Sequence, residues 1–291
     1  MIRHPISPSG AGDLAALLGF IAFLVLPLLI YLALVTRGKL RLAPPKPKGA
    51  GRRLFGPLFV GYTYWLMRPL FRLALWSGIT PNQVTVATLG VAAATAIAVG
   101  SGHFALAAFL LIGGGSLDIL DGQLARLRNM ATLQGAFLDS TVDRICDGLV
   151  FGGCVFYYAG TPMIFVSLAV LIMSFTVSYA RGRAEALGVS GAEGLMQRAD
   201  RLTVLTIALA VSPYFAHRAE GRIAHPFYAI TAVSLCLLAV LSTVTAVSRI
   251  LWTLKQLKLK SNPEVAVRRD RDVQPSLLLP HESKPALGLN R

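Results

Sequence analysis

Five of the fourteen acidic residues in the chain, Asp118, Asp121, Asp139, Asp143 and Asp147, fall within thirty residues that are otherwise largely apolar. An ionisable group in or at the end of a membrane helix is costly, so such a cluster marks a functional candidate. Asp118 and Asp121 are three apart, and Asp139 and Asp143 four apart. Those spacings put each pair on one helix face. The short link 127–134 predicts two antiparallel neighbouring helices with four carboxylates at one membrane depth. Carboxylates packed so closely cannot all stay ionised without cations. Oxygen-only ligation suits a hard divalent ion, and Mg2+ in particular is held by a few carboxylates together with substrate phosphates. The lack of His or Cys in the cluster argues against zinc. A pair of such ions would clamp both sides of a phosphoryl displacement.

The residues between the carboxylates fit this chemistry. Gly122 and Gly135 remove side chains where the two helices would meet, leaving room for a ligand or for close backbone approach. Ala125 is small on the face of Asp118 and Asp121, and Arg126 offers a planar fork to phosphate. Asp147 extends the Asp139–Asp143 face and reads as structural, the other reading being a supporting partner for Arg144. Gly113-Gly114-Gly115 lies inside an apolar run and reads as helix packing.

The elements that position these residues are set by composition. Only 14% of the 291 residues are charged and 54% are apolar, with a mean hydropathy of +0.61, whereas soluble domains are about 25% charged. Apolar runs near the roughly 20 residues needed to cross a bilayer must be helical, because lipid offers the backbone no partners. The predicted spans are 14–35, 82–99, 104–125, 134–158, 163–183, 202–216 and 227–250. Segment 54–76, with its aromatics and Arg68 and Arg72, reads as an interfacial amphipathic helix kinked near Pro69. Thr80 and Pro81 suit the N-cap and first turn of the next helix. Turns are expected at 100–103 and 159–162.

The net charge of +14 would suggest nucleic acid on a soluble protein. Here the basic residues flank apolar runs without a nucleic-acid motif, so they read as topology signals and contacts to membrane lipids. Segment 37–53 has seven basic residues and no acidic one, and segments 126–133 and 182–201 are rich in arginine. This positive-inside pattern predicts an outside N-terminus and a cytoplasmic C-terminus, with the outside loop that carries Arg218 and Arg222 arguing against it. The chain thus divides into 1–53 (a signal-anchor helix and basic Pro-rich linker), 54–78 (the interfacial helix), 79–252 (a six-helix catalytic domain) and 253–291 (a basic, disordered tail). The cysteines Cys146, Cys154 and Cys236 lack metal-like spacing.

The pattern Asp118-x2-Asp121-Gly122-x2-Ala125-Arg126-x8-Gly135-x3-Asp139-x3-Asp143 resembles the CDP-alcohol phosphatidyltransferase family at all eight fixed positions. The likeness extends over about 68–250. It implies an all-α integral membrane protein: six core helices behind an interfacial helix, here with one extra N-terminal transmembrane helix. It implies transfer of a phosphatidyl group from CDP-diacylglycerol to an alcohol with release of CMP. Asp118, Asp121, Asp139 and Asp143 would hold Mg2+ or Mn2+, as two ions, and Asp143 would be the general base. Gly122, Ala125, Arg126 and Gly135 would lie against the CDP moiety. The resemblance also implies a homodimer in the inner membrane of a bacterium, with the site facing the cytoplasm.

The stretches 135–153 and 178–201 resemble the bacterial phosphatidylinositol-phosphate synthases, which implies a phosphorylated polyol acceptor. Arg144 and Arg183, then Arg128, Arg181 and Arg198, would bind it. Gln197 and Gly182 depart from that pattern, so glycerol 3-phosphate stands beside inositol 1-phosphate as acceptor. A transporter would spread its carboxylates along a mid-membrane path, and a membrane prenyltransferase would separate its two acidic motifs. Neither matches a cluster within 26 residues.

Overall fold

The computed structural model describes residues 10–37, 51–189, 194–219 and 225–261, and these are helical with no strand. The described residues form eight helices: α1 (Gly10–Thr36), α2 (Gly51–Trp76), α3 (Pro81–Gly100), α4 (Phe104–Leu127), α5 (Leu133–Tyr157), α6 (Met163–Ala186), α7 (Arg198–Ala219) and α8 (Ala229–Lys260).

Local chemistry sets several of these ends. Thr80 and Gln83 form a reciprocal capping box at the start of α3, with Pro81 in its first turn, which satisfies two orphan backbone donors. The Thr132 hydroxyl caps α5 by accepting from the Gly135 N–H at 3.0 Å. The turns after α3 and α5 each need a left-handed residue, supplied by Gly102 (φ 83°) and Gly160 (φ 84°). Helix α2 runs through Pro69 without a break.

Six helices close a ring in the packing order α3–α4–α7–α8–α6–α5 and back to α3. Helix α1 lies against α7, and α2 against α4. The ring interior is filled by large buried side chains such as Phe104, Phe151, Tyr158, Leu205 and Leu235. Gly153 of α5 lets α3 approach closely: a Cβ there would stand 2.7 Å from the Ala96 carbonyl oxygen. Alternating chain direction brings the start of α3, the end of α4 and the starts of α5 and α7 to one end.

Among the described residues, five helices carry stretches long and apolar enough to cross a membrane: Leu17–Thr36, Pro81–Gly100, Phe104–Leu127, Met163–Ala186 and Ala229–Lys260. The other two ring members, α5 and α7, hold the charged residues Asp139, Asp143, Asp147, Arg198 and Arg201, which lower their hydropathy. They complete an all-α membrane bundle.

Two expectations need correction. Helices α4 and α5 are not packed neighbours; each packs along α3 instead. Their carboxylates therefore meet across an opening rather than along a helix–helix seam. Helix α8 does not stop near 250 but continues to Lys260, carried by Leu251, Leu254 and Leu257 at helical spacing. Lys260 then donates to the Gly188 carbonyl. The expected tail beyond 261 and most of the basic linker 37–53 lie outside the described residues.

Candidate active site at the open end of the ring

Asp118 and Asp121 lie in the last three turns of α4, and Asp139 and Asp143 in the first three turns of α5. One carboxylate oxygen each from Asp118, Asp139 and Asp143 falls within 4.8 Å of the other two. Three half-buried carboxylates this close form an oxygen-only donor set, which fits a hard divalent ion. Asp121 is not one of these three. It is 5% exposed and accepts a 2.6 Å hydrogen bond from the Thr85 hydroxyl of α3.

A guanidinium enters the cluster from α7. Arg198 Nη1 lies 2.8 Å from Asp143 and 3.1 Å from Asp118. Its Nε donates to Asp147 Oδ1 at 2.9 Å. Asp147, 3% exposed, also takes Arg201 Nη2 on Oδ2 at 3.2 Å. A buried carboxylate left alone would cost several kcal/mol, and the two guanidinium groups offset that cost. Asp147 therefore pairs with α7, and not with Arg144.

The start of α7 is itself anchored. The Met196 N–H donates to the Thr245 hydroxyl of α8 at 3.1 Å. Gly194 lies so close to α8 that a Cβ would collide with Thr245.

The glycines do less than their spacing suggested. At Gly122 a Cβ would meet only the Arg126 guanidinium, at an ordinary contact distance of 3.5 Å. At Gly135 it would meet Thr132 Oγ1 at 3.2 Å and Asn82 Oδ1 at 3.5 Å. Ala125 is half-buried beside them. In the 113–115 triplet only Gly114 approaches another helix, at Val91 of α3.

The arginines proposed for the acceptor separate. Arg198 alone bonds to the carboxylates. Arg144 is half-buried, donates to the Ser140 carbonyl and acts electrostatically on Asp139. Arg181 is exposed and pairs with Glu185 at 2.9 Å, and Arg183 is exposed. Arg128 is placed elsewhere altogether. Its guanidinium donates to the carbonyls of Ala74, Leu75, Gly78 and Ile79 at 2.6–3.3 Å. It ties the end of α4 to the last turn of α2, whose final carbonyls have no backbone partner further along the helix, and to the link between α2 and α3.

Thr85, Asp147 and Arg201 were missed as site residues. Asp147 and Arg201 were legible in part: each continues a helix face, at four residues from Asp143 and three from Arg198. Thr85 lies on a helix with no other sign of chemistry.

The sequence profile of the CDP-alcohol phosphatidyltransferase family matches residues 78–254. The chain is 33% identical over 177 residues to the archaetidylinositol phosphate synthase of Methanothermobacter thermautotrophicus, covering 61% of this chain and 84% of the relative. It is 35% identical over 198 residues to the phosphatidylinositol phosphate synthase of Mycobacterium tuberculosis, covering 64% and 85%. Among solved structures, that mycobacterial synthase with CDP-DAG bound superposes with a TM-score of 0.57 at 31% identity, over 65% of this chain and 94% of the other. The same enzyme with manganese and citrate gives 0.56 at 32% identity, over 64% and 88%. Helices α1 and α2 precede the matched residues.

Proposed function

The chain belongs to the CDP-alcohol phosphatidyltransferase family, and from this premise we propose that it transfers a phosphatidyl group from CDP-diacylglycerol to inositol 1-phosphate. The observation that carries this reading is the meeting of Asp118, Asp139 and Asp143 with Arg198 at one point. The carboxylates suit the cation that a diphosphate donor requires, and the guanidinium suits a phosphorylated acceptor.

Asp118, Asp139 and Asp143, with Asp121 beside them, would hold Mg2+ or Mn2+, as two ions. Bound there, the metal would neutralise the diphosphate and stabilise the departing CMP. Asp143 takes the proton from the acceptor hydroxyl. The freed oxygen bonds to the lipid-side phosphorus, and the bond from that phosphorus to the CMP oxygen breaks. Arg198, touching Asp143, holds the acceptor phosphate so that its hydroxyl faces the base, with Arg144 and Arg183 lining the approach. Arg126, Gly122, Ala125 and Gly135 form the wall for the CDP moiety. Arg128 is withdrawn from the acceptor set, and Arg181 is peripheral to it.

The named relatives that make inositol-phosphate lipids favour inositol 1-phosphate over glycerol 3-phosphate. The basic residues around the site, Arg126, Arg144, Arg181 and Arg183, support a cytoplasmic face on a bacterial inner membrane. A homodimer is part of the same proposal. The test is purified protein in liposomes with CDP-diacylglycerol, Mn2+ and a panel of acceptors, with the lipid product weighed by mass spectrometry. Inositol 1-phosphate should give CMP and a phosphoinositide phosphate. If glycerol 3-phosphate or free inositol is used faster, the acceptor assignment is wrong.

A further inference from the structure

We propose that Asp147 is a positioning residue for the acceptor: it aims Arg198 at the catalytic carboxylates and so sets acceptor affinity. This rests on the reading of Arg198 given above. Asp147 lies one turn further along α5 than Asp143 and is 3% exposed. Each of its oxygens is committed to a different arginine of α7, Oδ1 to Arg198 Nε at 2.9 Å and Oδ2 to Arg201 Nη2 at 3.2 Å.

A guanidinium is planar, so fixing Nε fixes where the other nitrogens point. With Nε on Asp147, the Nη1 edge faces Asp118 and Asp143. Arg201 makes the pairing firm. It is 1% exposed, and its Nε and Nη1 have no hydrogen-bond partner among the described residues. Asp147 is thus the counter-charge to a guanidinium that cannot reach water. Without Asp147, Arg198 would keep only its Nη1 contacts, which are to the carboxylates that hold metal. Metal binding would then leave Arg198 with no fixed orientation toward the acceptor. Substitution of Asp147 should therefore act on the acceptor and spare the donor.

The test uses full-length protein in nanodiscs and the variants Asp147→Asn and Arg198→Ala. Mn2+ binding without substrates is followed by electron paramagnetic resonance, and initial rates give each substrate's KM. D147N should raise the inositol 1-phosphate KM about tenfold or more, the scale seen when a partner that orients a functional group is lost. The KM for CDP-diacylglycerol and the Mn2+ midpoint should stay within about twofold, and Asp147→Glu should recover part of the acceptor affinity. If D147N is not monodisperse, the double variant D147N/R201M, which removes the stranded guanidinium too, carries the same expectation. Equal changes in both KM values, or a loss of kcat alone, would overturn the proposal. If R198A raises the acceptor KM and D147N does not, the positioning role falls while the reading of Arg198 stands. If R198A itself leaves the acceptor KM unchanged, that reading falls first.

Discussion

A single hydroxyl decides how Asp121 sits. Thr85 donates to it at 2.6 Å, and burial leaves that carboxylate few other donors. Thr85→Val keeps the shape and removes the donor, so the carboxylate loses a charge-assisted hydrogen bond of about 1.5–3 kcal/mol. The expected outcome is a Mn2+ midpoint raised by about tenfold, measured by metal titration of the purified variant. An unchanged midpoint would remove Asp121 from the metal set. Arg128 gives the opposite expectation. Arg128→Ala frees carbonyls at the end of α2, so thermal stability should fall by about 1–3 kcal/mol with both substrate KM values unchanged. At this scale the aspartates were legible because charge is rare in apolar sequence and helix periodicity fixes which of them share a face. The arginines were not. A long flexible side chain reaches several neighbours, and sequence spacing does not say whether Arg128 turns to a helix end or Arg198 to a carboxylate.

The opening between α4 and α5 depends on α3. Both helices pack along it, and α5 approaches the α3 backbone closely where Gly153 meets Ala96. Gly153→Ala places a methyl 2.7 Å from a backbone oxygen, and the helices must separate to admit it. A loss of about 1–3 kcal/mol is expected for such overpacking, read as a lower midpoint in thermal unfolding. Activity should fall together with stability, because Asp139 and Asp143 move with α5. An unchanged midpoint would mean that the α3–α5 seam is looser than described. The cap at Thr80 was legible, since an N-cap hydroxyl is a local signal, whereas the like cap at Thr132 was overlooked. The pairing of α4 with α7 was not, because a short loop limits the distance between helix ends but does not force the helix bodies to pack. The length of α8 was misjudged because its last ten residues mix lysines with leucines at helical spacing, and a count of apolar residues stops too early.

At the largest scale, six of the described helices close a ring, and the aspartates and arginines of the site gather at one end of it. The two ring helices without a stretch apolar enough to cross a membrane, α5 and α7, both carry site residues, which is the expected trade between membrane solubility and chemistry. Helices α1 and α2 are joined by contacts of Tyr31 with Tyr62 and Trp65, and Gln123 of α4 donates to the Tyr64 hydroxyl of α2. The interfacial helix is thus tied both to the extra helix and to the α4 segment that bears Asp118 and Asp121. The most direct measurement compares CMP release by the reconstituted protein and by Asp143→Asn, with CDP-diacylglycerol, inositol 1-phosphate and saturating Mn2+. The parent should release CMP only when acceptor and metal are both present, and the variant should be slower by about 10²–10⁴-fold. Release by the variant at the parent's rate, or by the parent without metal, would contradict a metal-assisted transfer in which Asp143 is the base.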